Sequence, residues 1–268
     1  MPLPFLARPP RIALVRLQGI ITPRPGFGGG VSLATVAPAL DRAFALKRAA
    51  AVFLVINSPG GSPVQSSLIA GHIRRLAEEK RLPVIACVED AAASGGYWIA
   101  CAADEIVADP ASILGSIGVV SAGFGFEGAI ARLGIERRMH TAGTEKSFLD
   151  PFGPERPEDV ARLEALLEQL HGEFRAWILA RRQQRLKAPP EQLFTGRFWP
   201  GRQAVELGLA DRLGDALGEA RRRFGPKARL VPIGGRRPSL LRRLLPGLSP
   251  EALIAAAEER AAWARLGL

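Results

Sequence analysis

Along the first half of the chain, apolar runs of strand length alternate with stretches in which apolar residues recur at helical spacing. Ile12 to Ile21 (IALVRLQGII) is rich in aliphatic and β-branched residues and meets Thr22-Pro23-Arg24-Pro25, which predicts a strand stopped by proline. A glycine-rich loop, Phe27 to Gly30, precedes helical composition over Leu33 to Leu46. Ala51 to Ile56 (AVFLVI) and Pro83 to Val88 (PVIACV) are unbroken apolar runs, the pattern of strands buried on both faces. Between them Val64, Leu68, Ile69, Ile73 and Leu76 stand at helical spacing. Ser94 opens a further helix, Gly95 to Ala102, and short strands are expected at Glu105 to Ala108 and Leu114 to Val120. Strand and helix in alternation predict an α/β fold with parallel pairing and flanking helices.

In the second half, Glu136 to His140 has strand character. Val160, Leu163, Leu167, Leu170, Phe174, Trp177 and Ile178 then share one face of a long amphipathic helix from Glu158 to Arg182, a packing face rather than a ligand site. Shorter helices are expected over Trp199 to Leu207 and Asp215 to Phe224. Beyond Phe224 the pattern changes to an edge strand at Arg229 to Ile233 and a linker at Gly234 to Pro238. Ser249-Pro250-Glu251 then makes a good cap and first turn for a helix reaching Leu266. Residues 1–225 therefore read as the main domain and 226–268 as a basic C-terminal extension with a terminal helix.

Composition adds little to this picture and charge adds more. At 268 residues, 47% hydrophobic and 23% charged, the chain is that of a folded globular protein. The net charge of +10 is uneven: Ala216 to Leu268 holds eleven basic and four acidic residues, +7 of the total. Such a Leu-containing basic tail suits peripheral contact with anionic membrane lipid, or is simply a solvated face; nucleic acid is not the expected partner. Cys87 and Cys101 lie in apolar segments without metal-ligand spacing to His72, His140 or His171, so neither a disulfide framework nor a metal site is indicated, and no cofactor is called for. Met1 to Pro10 is too short and proline-rich for a signal peptide, and no run approaches the ~18 apolar residues of a span. A cytoplasmic chain, at most at the membrane surface, is the expectation.

The candidate chemistry sits in two glycine pairs directly after buried strands. In Asn57-Ser58-Pro59-Gly60-Gly61 the glycines permit backbone angles that aim N–H groups outward, as an oxyanion hole or a phosphate nest requires; a tight strand-to-helix turn asks for the same residues. In Ala92-Ala93-Ser94-Gly95-Gly96-Tyr97-Trp98 a serine stands at a helix N-terminus, crowded by small residues. It is either an N-cap or a nucleophile whose flanks let another chain approach and leave the Gly95 N–H for an oxyanion. A serine nucleophile needs a base. His72 and His171 lie within helices, and only His140 is placed where it could reach a site, with no acid to orient it. Lys146, in the glycine-bounded turn Gly143-Thr144-Glu145-Lys146-Ser147-Phe148, is the better candidate, because Phe148, Pro151 and Phe152 can desolvate its amine and lower its pKa.

Taken together and in order, Asn57 to Gly61, Ala93 to Trp98, Leu114-Gly115-Ser116-Ile117-Gly118-Val119, and Gly143 to Ser147 through Asp150-Pro151-Phe152 resemble the signal peptide peptidase A (protease IV) family. The resemblance extends over Ile12 to Leu213, including Phe194-Thr195-Gly196-Arg197 and Ala204 to Leu209. It implies the Clp-protease/crotonase fold and a Ser/Lys dyad with Ser94 as nucleophile, Lys146 as general base, and Ser116 positioning the lysine amine. It also implies an oxyanion hole of the Gly61 and Gly95 N–H groups, peptide substrates such as signal-peptide remnants, and a homo-oligomer, in the family commonly one that brings Ser and Lys together across subunits. Glu145 stands where family members often carry an aromatic residue; an acid there raises the lysine pKa if the side chains meet, and an extended segment would point them apart. Two other functions fit parts of the pattern. A crotonase-type acyl-CoA enzyme would use the Gly60-Gly61 turn with Glu89 or Asp90, and a non-catalytic scaffold of membrane proteins would use the basic tail.

Overall fold

Strands β1 (Arg11–Gln18), β2 (Ala49–Ser58) and β3 (Val84–Ala93) lie side by side and parallel in the computed structural model, which describes residues 8–23, 30–143, 145–234 and 250–268. Residues 27–29 of the expected glycine-rich loop and 235–238 of the linker lie outside the described residues, as do Thr144, Ser249 and the tail arginines Arg236, Arg237, Arg242 and Arg243. β2 is buried from Ala51 to Ser58, as its unbroken apolar run requires of a central strand. β8 (Arg229–Pro232) pairs parallel with β1 on one side. On the other, β3 pairs first with β4 (Glu105–Ala108) and then with β5 (Ile113–Gly115). β5 is joined by the antiparallel β6 (Phe198–Pro200), and β4 by β7 (Arg212–Leu213), giving a sheet of eight strands.

The helices are α1 (Leu33–Phe44), α2 (Pro63–Lys80), α3 (Gly95–Ala100), α4 (Glu127–Arg132), α5 (Pro157–Arg182), α6 (Pro190–Leu193), α7 (Gly201–Glu206), α8 (Ala216–Phe224) and α9 (Pro250–Ala264). Their starts follow from local chemistry. Ser32 closes a capping box with Thr35 at α1, Ser62 accepts the Gln65 N–H ahead of Pro63 at α2, and Asp215 accepts the Leu217 and Gly218 N–H groups at α8. The chain passes from β1 through α1 to β2 and through α2 to β3, each connection joining parallel neighbours. α8 leads into β8 and packs with Ala220 against Ile12, Phe53, Val55, Ile85 and Cys87.

Several expectations change. α2 buries Ile69 and Ile73 of its apolar stripe together with the small residues Ser66, Ala70 and Ala77, while Val64 and Leu68 stay exposed, so only part of the stripe is its packing face. β3 runs on past Val88 to Ala93. The strand expected to reach Val120 ends at Gly115, because Ser116 turns the chain at φ 53°. Residues 136–140 form no strand: they are exposed, and Glu136 pairs with Arg138 two residues on. Trp199 belongs to β6 rather than to the helix after it.

The chain forms two compact units, residues 1–117 with 175–268 and residues 118–174, so residues on both sides of Gly225 fall in the first. In the first unit α9 and the turn after it bring Trp263 and Leu266 against Ala91, Ala93 and Ile113. In the second, Phe126 stacks on Phe152 with ring centroids 5.5 Å apart, Arg137 lies over Phe152, and the buried Asp159 accepts two hydrogen bonds from Arg156.

Part of the basic tail's charge is used inside the fold. Glu219 of α8, 3% exposed, receives Arg212 at 2.7 Å and Arg222 at 2.8 Å as well as Arg223, and Glu105 joins Arg212 and Arg223. Burial raises the Glu219 pKa, but the hydrogen bonds from Arg222 and Arg223 and the charges of Arg212 and Arg223 outweigh it and hold the carboxyl at about 2. A folded pKa below the ordinary 4.5 means that the stabilisation is complete above that pH and is lost as pH falls toward 2. Glu219→Gln is expected to cost on the order of 3 kcal/mol at pH 7, as for a broken buried ion pair. It should also flatten the fall in stability between pH 4.5 and 2, both effects being read by urea denaturation across pH.

Candidate active site

Ser94 joins the end of β3 to the start of α3 with φ 49° and ψ −121°, a region that costs a non-glycine residue about 1–3 kcal/mol. Its side chain makes no capping hydrogen bond, unlike Ser32, Ser62 and Asp215 at the heads of their helices. Its hydroxyl is therefore not engaged as an N-cap. Ser94 is half-buried, while every neighbour from Ala91 to Cys101 is buried, so a reachable hydroxyl stands on an otherwise closed floor.

The turn after β2 touches the turn after β3. A Cβ on Gly60 would lie 2.7 Å from the Ser94 Cβ and 2.9 Å from the Gly95 nitrogen. A Cβ on Gly95 would meet Ser66 Oγ at 2.4 Å and lie 3.4 Å from the Gly61 nitrogen, and one on Gly96 would meet the Ser58 carbonyl at 2.8 Å. Glycine is thus required at these positions for contact as well as for the positive φ of Gly60 and Gly61 (105° and 140°). Among the described residues neither the Gly61 nor the Gly95 N–H has an acceptor. Two backbone donors at touching turns, one of them at a helix N-terminus, can receive a developing oxyanion beside the Ser94 hydroxyl.

Ser116 is brought to the same place through its neighbour. Gly115 O accepts the Ser94 N–H at 2.8 Å, and the Ser116 N–H donates to Arg197 O at 2.7 Å. The Trp199 ring covers Gly115 so closely that a Cβ there would sit 2.8 Å from it. Trp199 and the buried hydroxyls of Ser58 and Ser66 support the site without having been singled out in the sequence. The one signal was the pair Asn57-Ser58, polar residues ending an apolar run.

Lys146 lies in the second unit, exposed, in a turn where its N–H donates to Gly143 O at 3.3 Å. The segment is not extended. Glu145 is kept from Lys146 differently: its carboxylate pairs with Arg162 at 2.6 Å, and Arg162 also lies over the Phe148 ring. His72 bridges Asp41 and Arg75, His171 faces Glu168, and His140 is exposed. Burial, the leading cause, pushes both thiols, Cys87 and Cys101, up to about 12, which leaves them inert.

Comparison with known proteins gives this geometry a context. The profile of Peptidase family S49 matches residues 76–223. Protease 4 of Haemophilus influenzae is 33% identical over 211 residues, 77% of this chain and 33% of that protein. A Brucella melitensis protein named Na(+)/H(+) antiporter NhaA is 47% identical over 284 residues, covering all of this chain and 38% of that protein. The chain thus spans a third to two-fifths of the length of these two relatives. Among solved structures, a lysine-to-alanine mutant of 1510-N membrane-bound stomatin-specific protease, in complex with a substrate peptide, superposes with a TM-score of 0.54 at 16% identity. That match covers 94% of this chain and 100% of the other, a likeness of fold. The α/β architecture is the Clp-protease/crotonase-like one that the motifs implied.

Steric need at the turns can be separated from helix propensity with two glycines of the same neighbourhood. Gly61→Ala would drive a Cβ to 2.0 Å from the Ile21 carbonyl, and a loss of more than about 2 kcal/mol is expected. Gly71→Ala, inside α2 with nothing within 4 Å, is expected to gain about 0.5–1 kcal/mol. Thermal and urea unfolding of the two variants read both signs.

Proposed function

The chain belongs to peptidase family S49, and we propose that it is a serine endopeptidase acting through Ser94 and Lys146. The observation that carries this reading is the strained, uncapped Ser94 beside two N–H groups that have no acceptor among the described residues. Neutral Lys146 accepts the Ser94 proton as the hydroxyl attacks a peptide carbonyl, and the Gly61 and Gly95 N–H groups hold the oxyanion. The lysine then gives its proton to the leaving amine, and water releases the acyl group from Ser94 Oγ. The Ser116 hydroxyl positions the amine.

The Glu145–Arg162 pair favours Lys146 as base, because it occupies the one carboxylate next to it in sequence. The acyl-CoA alternative loses its carboxylates in the same way: Glu89 pairs with Arg16, and Asp90 accepts from Asn57. A homo-oligomer is favoured by the apolar side chains left exposed, Phe124, Leu133 and Ile135 in the second unit and Val64 and Leu68 on α2. The substrates are unfolded or membrane-derived peptides, signal-peptide remnants among them. A solved neighbour named for a membrane-bound protease holds a substrate peptide, and a relative named as an antiporter contains a segment like this whole chain. Exposed Arg221, Lys227, Arg229 and Arg260 suit peripheral contact with anionic lipid.

A fluorophosphonate probe and a β-casein digest test the dyad. Wild type should be labelled and should digest casein. Ser94→Ala and Lys146→Ala should each lower both rates by roughly a thousandfold or more, and Ser116→Ala by about tenfold. Labelling that survives Lys146→Ala removes the lysine from its role. A folded wild type that neither labels nor digests favours the scaffold.

A further inference from the structure

β3 changes partners halfway, and the change is built around one asparagine. Ile85–Val88 pair with β4 and Ala91–Ala93 with β5. Against β2 the register slips between these halves: Ile56 is opposite Val88, whereas Ser58 is opposite Ala92. Asn57 alone therefore spans Glu89, Asp90 and Ala91, a bulge with two residues in excess. Its side chain, in a residue only 8% exposed, is satisfied at both ends. Nδ2 donates to Asp90 Oδ2 at 2.5 Å, and Oδ1 accepts the Ala91 N–H at 3.2 Å. These partners define the amide's orientation, since only its nitrogen can face a carboxylate and only its oxygen an N–H. From the other side the buried Ser112 hydroxyl donates to Glu89 O at 2.5 Å.

Gly61 lies four residues beyond Asn57, and Gly95 lies four beyond Ala91. The same hydrogen-bonded link therefore joins the two strands shortly before each delivers one of the acceptor-free N–H groups. A one-residue slip along a strand moves the chain by about 3.3 Å, and an oxyanion tolerates donors only within about 2.7–3.1 Å. We infer that Asn57 and Asp90 are positioning residues, a clasp that sets the register of the Ser94 strand against the Gly60-Gly61 turn. Their effect on rate rests on the peptidase reading above; their effect on geometry does not.

Asn57→Asp sets a carboxylate against Asp90. It is expected to cut fluorophosphonate labelling and kcat on a peptide by about a hundredfold, with KM within about twofold of wild type. Adding Asp90→Asn restores the donor and acceptor with their ends exchanged, and should return kcat to within about fivefold of wild type. Where Asn57→Asp does not fold, Asp90→Ala, a change at an exposed residue, should show about a tenfold loss in kcat. Wild-type rates in the variants that fold, or a double variant no faster than Asn57→Asp, overturn the clasp. If the wild-type protein neither labels nor cleaves, only the peptidase reading fails, and the clasp is read from hydrogen exchange of the amides from Ala91 to Gly95. Faster exchange in Asn57→Asp or Asp90→Ala, reversed in the double variant where that folds, supports it; unchanged exchange overturns it.

Discussion

The contact between two turns, Gly60-Gly61 and Ser94-Gly95, is the constraint on which the rest of the site depends. With a Cβ on Gly60 only 2.7 Å from that of Ser94, the two backbones cannot meet if either side carries more than it does. Meeting also requires that β2 and β3 end at the same level, which a parallel arrangement supplies, because all strand ends of one sense lie along one edge of the sheet. Ile21 adds a third element to this edge: its carbonyl accepts the Ser62 N–H and its N–H donates to Gly60 O. The turn is therefore held by β2 and by the chain beyond β1 before any ligand arrives.

Strain accompanies this arrangement and is held by neighbours rather than by the residues that bear it. Ser94 and Ser116 both take positive φ, 49° and 53°, without being glycine. The Ser94 N–H is anchored on Gly115 O and the Ser116 N–H on Arg197 O, and the antiparallel pairing of β5 with β6 lays Trp199 over Gly115. Local strain persists where surrounding structure over-determines it. Here the surrounding structure comes from residues 197–199, about a hundred positions further along the chain.

Charge works on a different scale. The formal +10 suggests a strongly basic surface, yet Arg212, Arg222 and Arg223 converge on Glu219 and Glu105, and Arg182, 2% exposed, is spent on Gly208 O and Asp211. These arginines are engaged by carboxylates and a carbonyl within the fold, so the formal charge overstates the number of unpaired cations. Glu145 follows the same rule, for its partner is Arg162 and not the adjacent lysine.

Local patterns were enough for the alternation of strands and helices, since the periodicities that distinguish them span only a few residues. The runs at Ala51 to Ile56 and Pro83 to Val88, the helices that follow them, and the glycine pairs at Gly60-Gly61 and Gly95-Gly96 could all be recognised in the chain, and with them the fold class. Strand register could not. No pattern in β3 announces that Glu89 and Asp90 are in excess over β2, or that the strand runs on to Ala93, because a bulge is defined by a partner distant in sequence. Nor could the chain alone decide whether Ser94 caps its helix, which of two acids Asn57 would grip, or that Val64 and Leu68 would remain in solvent while Ser66 went inside. Residue type sets what each group is able to do. Which partner it finds is decided where segments far apart in the chain are packed against one another.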